Sequence, residues 1–166
     1  LYYHSRPTTW GDRWGGTWNM LSGGLLFGWR CHVAPDTDAR VGEFQPHEDD
    51  GLIAFDAETG DVRRDFPGKR RAVVHDGTLY MSGSGRIDAY DFASWARGAK
   101  PSDCVKWSTP HDRAYALILA GDTLVVGGQG TVTALAADTG DVLWKDKVPG
   151  QARSLAVADG RLLVST

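Results

Sequence analysis

Short runs in which apolar and polar residues alternate are separated by glycine-bearing turns. Thr131-Val132-Thr133-Ala134-Leu135-Ala136 has the period of two expected of a half-buried strand. Ala137-Asp138-Thr139-Gly140-Asp141 is turn chemistry, with Gly140 free to take positive φ. Val142-Leu143-Trp144-Lys145 then resumes an extended run, which Gly150 is expected to break. Ser154-Leu155-Ala156-Val157-Ala158 and Leu162-Leu163-Val164-Ser165 flank Asp159-Gly160. Two apolar runs joined by Asp-Gly are a strong hairpin signal. One unit of the pattern therefore contains four strands.

The unit recurs. Ala57-Glu58-Thr59-Gly60-Asp61-Val62 returns as Ala137-Asp138-Thr139-Gly140-Asp141-Val142, an offset of 80 residues, or two periods of about 40. Hairpins repeat with it: Thr78-Leu79-Tyr80-Met81-Ser82 follows Asp76-Gly77, Thr123-Leu124-Val125-Val126 follows Gly121-Asp122, and Leu25-Leu26-Phe27 follows Gly23-Gly24. Thr78, Thr123 and Arg161 are equivalent positions, spaced by 45 and 38 residues. The longer spacing reflects 8 extra residues around Arg97-Gly98-Ala99-Lys100-Pro101, because Ser94 to Trp107 spans 13 positions and Thr139 to Trp144 spans 5. A larger insertion lies between Arg30 and Asp50. The repeat predicts an all-β protein with almost no helix: a partial β-propeller of four-stranded antiparallel blades, about three to four of them. Complete propellers use about 4–8 blades. Residues 1–166 are thus expected to form a fragment of one propeller domain, with insertions near 30–50 and 96–104.

The pattern Ala-x-Asp-x-x-Thr-Gly-x-x-x-Trp resembles the tryptophan-docking repeat of the pyrroloquinoline-quinone (PQQ)-type, or quinoprotein-like, β-propellers. Ala134, Thr139, Gly140 and Trp144 carry it in one copy, where Ala136 replaces the Asp. Ala54, Asp56, Thr59 and Gly60 carry it in another, where Arg64 replaces the Trp. Ala89, Asp91 and Trp107 carry the third, where Ser94-Trp95 stands for Thr-Gly. The copies cover residues 51–166. The resemblance implies that Trp107 and Trp144 dock between adjacent blades onto Thr-Gly turns such as Thr59-Gly60 and Thr139-Gly140. Both indoles are then expected to be buried, with a weaker or more polar contact at Arg64. An indole suits this role because it hides much apolar area and offers one N–H to a carbonyl.

Charge changes the picture little. The chain has a formal net charge of −3 and scattered basic residues, with Arg63-Arg64 and Lys69-Arg70-Arg71 as the dense runs. These read as solvated strand ends rather than a nucleic-acid surface, because no aromatic platform flanks them. No apolar run approaches the roughly 20 residues that span a membrane. Cys31 and Cys104 both sit in inserted segments. A disulfide between them and two unrelated thiols are both compatible with that placement. The spacing contains no Cys-x-x-Cys zinc or haem signature.

Candidate chemistry concentrates in the first insertion. His32, Asp36, Asp38, Glu43, His47, Glu48, Asp49 and Asp50 crowd it. Oxygen ligands of this kind favour calcium, and Glu43, Asp49 and Asp50 are the candidate metal ligands. A solvated acidic loop is the plainer account. Trp10, Trp14 and Trp18, with Arg13 and Gly15-Gly16, could line a stacking pocket or edge a blade core. Gly83-Ser84-Gly85 and Gly127-Gly128-Gln129-Gly130 read as equivalent turns, not as a nucleophile elbow or a phosphate loop. No nucleophile, base and orienting group share a recognisable pattern, so no catalytic residue is assigned.

The resemblance implies two functional classes. One is a non-catalytic propeller that binds partners or scaffolds a larger bacterial protein, as in the propellers of outer-membrane protein assembly. The other is part of a PQQ- and calcium-dependent dehydrogenase of alcohols or sugars. The vicinal cysteine pair of some quinoprotein alcohol dehydrogenases is missing, which favours the first. Remaining blades of the same propeller, and a protein rather than nucleic acid, are the expected partners. Family resemblance places the chain in the periplasm or otherwise outside the cytoplasm.

Overall fold

The computed structural model describes residues 12–32 and 51–166, with the backbone alone for 12–19 and 29–32. The fold divides into two compact units, Leu1–Arg70 and Arg71–Thr166.

Among the described residues, the first unit holds one antiparallel sheet in chain order: β1 (Asp12–Ser22), β2 (Leu25–His32), β3 (Gly51–Asp56) and β4 (Val62–Pro67). The β1–β2 turn is Gly23-Gly24, both at positive φ, as a tight hairpin of this twist requires. Phe27, Leu52, Ile53, Ala54 and Phe66 are buried. Each large apolar side chain so hidden contributes about 1.5–3 kcal/mol.

The second unit holds two more sheets of the same order. The first comprises β5 (Lys69–His75), β6 (Thr78–Gly83), β7 (Arg86–Asp91) and β8 (Val105–Pro110). The next comprises β9 (Ala116–Ala120), β10 (Thr123–Gly127), β11 (Gln129–Ala136) and β12 (Val142–Gln151). A hairpin of β13 (Ser154–Ala158) and β14 (Arg161–Ser165) completes it. Tyr80, Ile87 and Ala89 on one sheet pack with Leu117, Leu124, Val126 and Leu135 on the next. Leu155, Leu162 and Val164 of the hairpin pack against Val125, Val132 and Ala152. Alternate residues of β10 thus serve two different cores, which is the period-two logic of a sheet covered on both faces. Among the described residues, sheets of four, four, four and two strands match the three to four blades that the repeat predicts.

Among the described residues, helix is confined to the insertion between β7 and β8, as α1 (Phe92–Ala96) and α2 (Pro101–Cys104). Asp91 caps α1 by accepting the Ser94 N–H at 2.8 Å. At Gly150 the strand does not stop as expected. β12 runs on to Gln151, and the pairing with β11 shifts between Gln129 and Thr131. Gly150 adopts φ +75° within that strand, and β12 takes up two extra residues there as an irregular bulge, since Gln129 to Thr131 faces Gln151 to Lys147.

Candidate functional site

The repeat motif builds the same piece of backbone twice. In β3–β4 the Asp56 N–H donates to the Asp61 carbonyl and the Gly60 N–H to the Asp56 carbonyl; Ala136, Asp141 and Gly140 repeat both bonds. Thr59 Oγ1 donates to Asp61 Oδ2 at 2.9 Å, and Thr139 Oγ1 to Asp141 Oδ2 at 2.8 Å. Gly60 and Gly140 share φ +77°. The ladder shifts register at the same place in three sheets, after Ala54, Ala89 and Ala134. The residue opposite each alanine is the docking position: Arg64, Trp107 and Trp144.

Trp107 shows what that position does. Its Nε1–H donates to the Ala137 carbonyl at 3.0 Å, across to the turn of the next sheet. Thr109 Oγ1 donates to the Gly140 carbonyl at 2.7 Å. A Cβ on Gly140 would stand 2.6 Å from Trp107 Cε3. The ring therefore lies flat on the one residue of the turn that has no side chain. Tyr80 backs it, with ring centroids 5.9 Å apart.

Trp144 differs from expectation. It is 43% exposed, with Val142 and Leu143 exposed beside it. Within its own unit, the sheet that follows consists of β13 and β14 alone and carries no Thr-Gly turn for this indole. Arg64 keeps the register but not the chemistry: it is half-buried, with its guanidinium 5.5 Å over the Phe66 ring of its own strand.

Two features escaped the sequence reading. Trp95 is fully buried and stacks on Phe92 at 6.0 Å, so the inserted helices carry an indole into the interior where other copies have a turn. Asp88 is also buried, with three donors around its carboxylate: Ser108 Oγ at 2.6 Å, Tyr90 Oη at 3.0 Å and Arg86 Nε at 3.2 Å. Burial, and the Asp88 charge beside it, push the Tyr90 phenol far above its ordinary range, so it stays a donor. The alternation Arg86-x-Asp88-x-Tyr90 was the available signal, since period two puts all three on one face.

At the first turn, Asp56 accepts the Glu58 and Thr59 N–H groups and an Arg63 ion pair at 2.7 Å. The Thr59 bond first, then Arg63, lower its pKa to about 2.

Glu43, Asp49 and Asp50, like the rest of the insertion from Asp36 to Glu48, lie outside the described residues, as does Trp10. Trp14, Trp18 and Cys31 fall in strands whose backbone alone is described. Cys104 is buried at the end of α2, its sulfur 3.3 Å from the Lys100 carbonyl. Among the described residues, no three of His, Cys, Asp or Glu gather as a metal centre would require. No described helix is long and apolar enough to cross a membrane, which says nothing of β-barrel spans.

The family model described as outer membrane protein assembly factor BamB matches residues 49–166. No curated protein matches the chain. Among solved structures, the computationally designed Ika8 protein shares 15% identity at a TM-score of 0.61, over 88% of this chain and 41% of that one. BamB from Moraxella catarrhalis shares 23% identity at 0.57, over 86% and 40%. The quinohemoprotein alcohol dehydrogenase ADHIIG from Pseudomonas putida HK5 shares 18% at 0.52, over 90% and 23%. At these identities the likeness is one of fold, and the chain spans less than half the length of each.

Proposed function

The chain belongs to the BamB family of PQQ-type repeat propellers, and on that premise we propose that it is a non-catalytic binding or scaffolding module of a larger bacterial protein. One observation carries the reading. Two side chains that the motif supplies are engaged in building the propeller, Trp107 on Ala137 and Gly140 and Asp56 on its own turn and Arg63, and Thr109 beside Trp107 holds Gly140 as well. The same holds for the buried carboxylate of Asp88, whose donors come from its own sheet. In this reading residues 1–166 are part of one propeller domain, further blades complete it, and the partner it holds is a protein. Family membership also supports a place outside the cytoplasm, in the periplasm.

The alternative is a portion of a PQQ- and calcium-dependent dehydrogenase; the Pseudomonas putida enzyme above shares the fold at 18% identity. PQQ would supply the redox chemistry there, and calcium would polarise it. Glu43, Asp49 and Asp50 are the acidic residues offered to calcium in that reading.

Titration of the full-length protein with PQQ and calcium separates the two. The binding-module reading expects no quinone absorption band and no dye-linked alcohol oxidation after loading. A stoichiometric quinone band with alcohol oxidation would overturn it. Calcium binding that vanishes in Asp49→Ala/Asp50→Ala would make the insertion a metal site.

A further inference from the structure

Charge is sorted between the two ends of the second unit. The connections at one end are residues 76–77, 92–104, 121–122, 137–141 and 159–160. They hold Asp76, Asp103, Asp122, Asp138, Asp141 and Asp159 against Arg97 and Lys100. At the other end, the connections 84–85, 111–115, 128 and 152–153 hold Arg113 and Arg153 against Asp112 alone. Arg71, near the start of β5, joins this end by donating its Nε–H to the Tyr115 carbonyl at 3.1 Å. Antiparallel order gathers these connections: every odd-numbered strand starts at the basic end, so successive repeats bring their entry residues to one rim. Arg153 occupies, one repeat later, the position of Tyr115, by the 38-residue offset that relates Thr123 to Arg161.

Side chains at this rim are arranged as donors. The Arg113 guanidinium lies 5.3 Å over the Tyr115 ring, which fixes its plane while leaving its edge to solvent. Tyr115 Oη donates to Gln129 Oε1 at 3.3 Å, so the Gln129 amide keeps its two N–H groups as donors. Gln129, Arg113 and Arg153 are exposed. A planar, edge-presented guanidinium matches a carboxylate in two parallel hydrogen bonds.

We propose that this rim is a docking surface for an acidic polypeptide segment, with Arg113 and Arg153 receiving its carboxylates and Gln129 adding a neutral donor. The proposal rests on the binding-module reading and names the partner's chemistry. Nucleic acid fits less well, because its bases need an open aromatic face and Arg113 covers that of Tyr115. A lipid surface fits less well, because interfacial binding needs apolar residues beside the basic ones. The exposed Val105, Val142 and Leu143 start their strands at the opposite end.

Fluorescence anisotropy with a labelled peptide of alternating glutamate and serine tests it. Oligothymidylate and phosphatidylglycerol vesicles are the competing probes. The peptide should bind, weaken as salt rises, and lose about tenfold in affinity in Arg113→Gln/Arg153→Gln, the scale of two lost exposed ion pairs. The pair Arg97→Gln/Lys100→Gln should leave binding unchanged, and unchanged circular dichroism and melting should accompany both. Equal losses in the two double variants, no peptide binding, or tighter binding of oligothymidylate or vesicles through the same arginines would each overturn the surface. Peptide indifference in a protein that also takes up no PQQ sinks only this rim. PQQ uptake with alcohol oxidation sinks the reading beneath it.

Discussion

The Trp107 indole rests where only a glycine leaves room. At Gly140 a side chain would meet the ring at 2.6 Å, and φ +77° is itself unfavourable for any residue with a Cβ. Gly140→Ala should therefore cost about 2 kcal/mol, from left-handed strain plus displacement of the ring. Trp107→Ala should cost about 3 kcal/mol, the low end for a large aromatic because the ring is only half-buried. Trp144→Ala, with its ring exposed, should cost less than about 1 kcal/mol in the chain of 166 residues. Urea unfolding of the three variants checks the ranking, and equal losses at the two tryptophans would contradict it. Asp56 makes a pH prediction. Its folded pKa of about 2 lies below the ordinary carboxylate value, so it contributes stability above about pH 4 that is lost as pH falls toward 2. Asp56→Asn should flatten the acid limb of the melting curve over that window. A motif read from sequence places Trp107 and Trp144 in one register and does so correctly. It is blind to their different exposure, because burial depends on what the neighbouring sheet brings.

Insertion length was readable at the level of elements; its conformation was not. Counting from Ser94 to Trp107 located eight extra residues, and the structure turns that stretch into two helices of five and four residues. Neither is long enough to carry a hydrophobic period, so the signals were single residues: Asp91 as a cap, and Pro101 at a first helical position. Asp91→Ala should destabilise by about 1 kcal/mol, the usual worth of such a cap. Thermal melting measures this directly; an unchanged midpoint would mean that α1 is held by Trp95 alone. Hairpins were the most legible elements, since Asp76-Gly77, Gly121-Asp122 and Asp159-Gly160 each join strands where expected. For the Asp88 network, the alternation of Arg86, Asp88 and Tyr90 showed a shared face but not burial, and Ser108 comes from another strand, so the carboxylate looked like a surface one.

Across the described residues, the repeat forecast antiparallel sheets of four strands, about three to four of them. It could not reveal the sorting of charge between ends, which emerges only when loops from different repeats are laid side by side. Val142, Leu143, Trp144, Val157 and Leu163 remain exposed on β12, β13 and β14, and among the described residues β14 pairs only with β13. The chain of 166 residues should therefore self-associate with rising concentration. Sedimentation that shows a monomer throughout, with a sharp single calorimetric transition, would contradict this. The contact between Trp107 and Ala137 has a further consequence in time. The ring belongs to an earlier sheet and the carbonyl to a later one, 30 positions downstream. During synthesis at about 5–20 residues per second, the indole emerges roughly 2–6 s before its acceptor exists. Each blade is thus left waiting for the next, and a ribosome that pauses within that interval leaves an apolar ring open to whatever else the nascent chain meets.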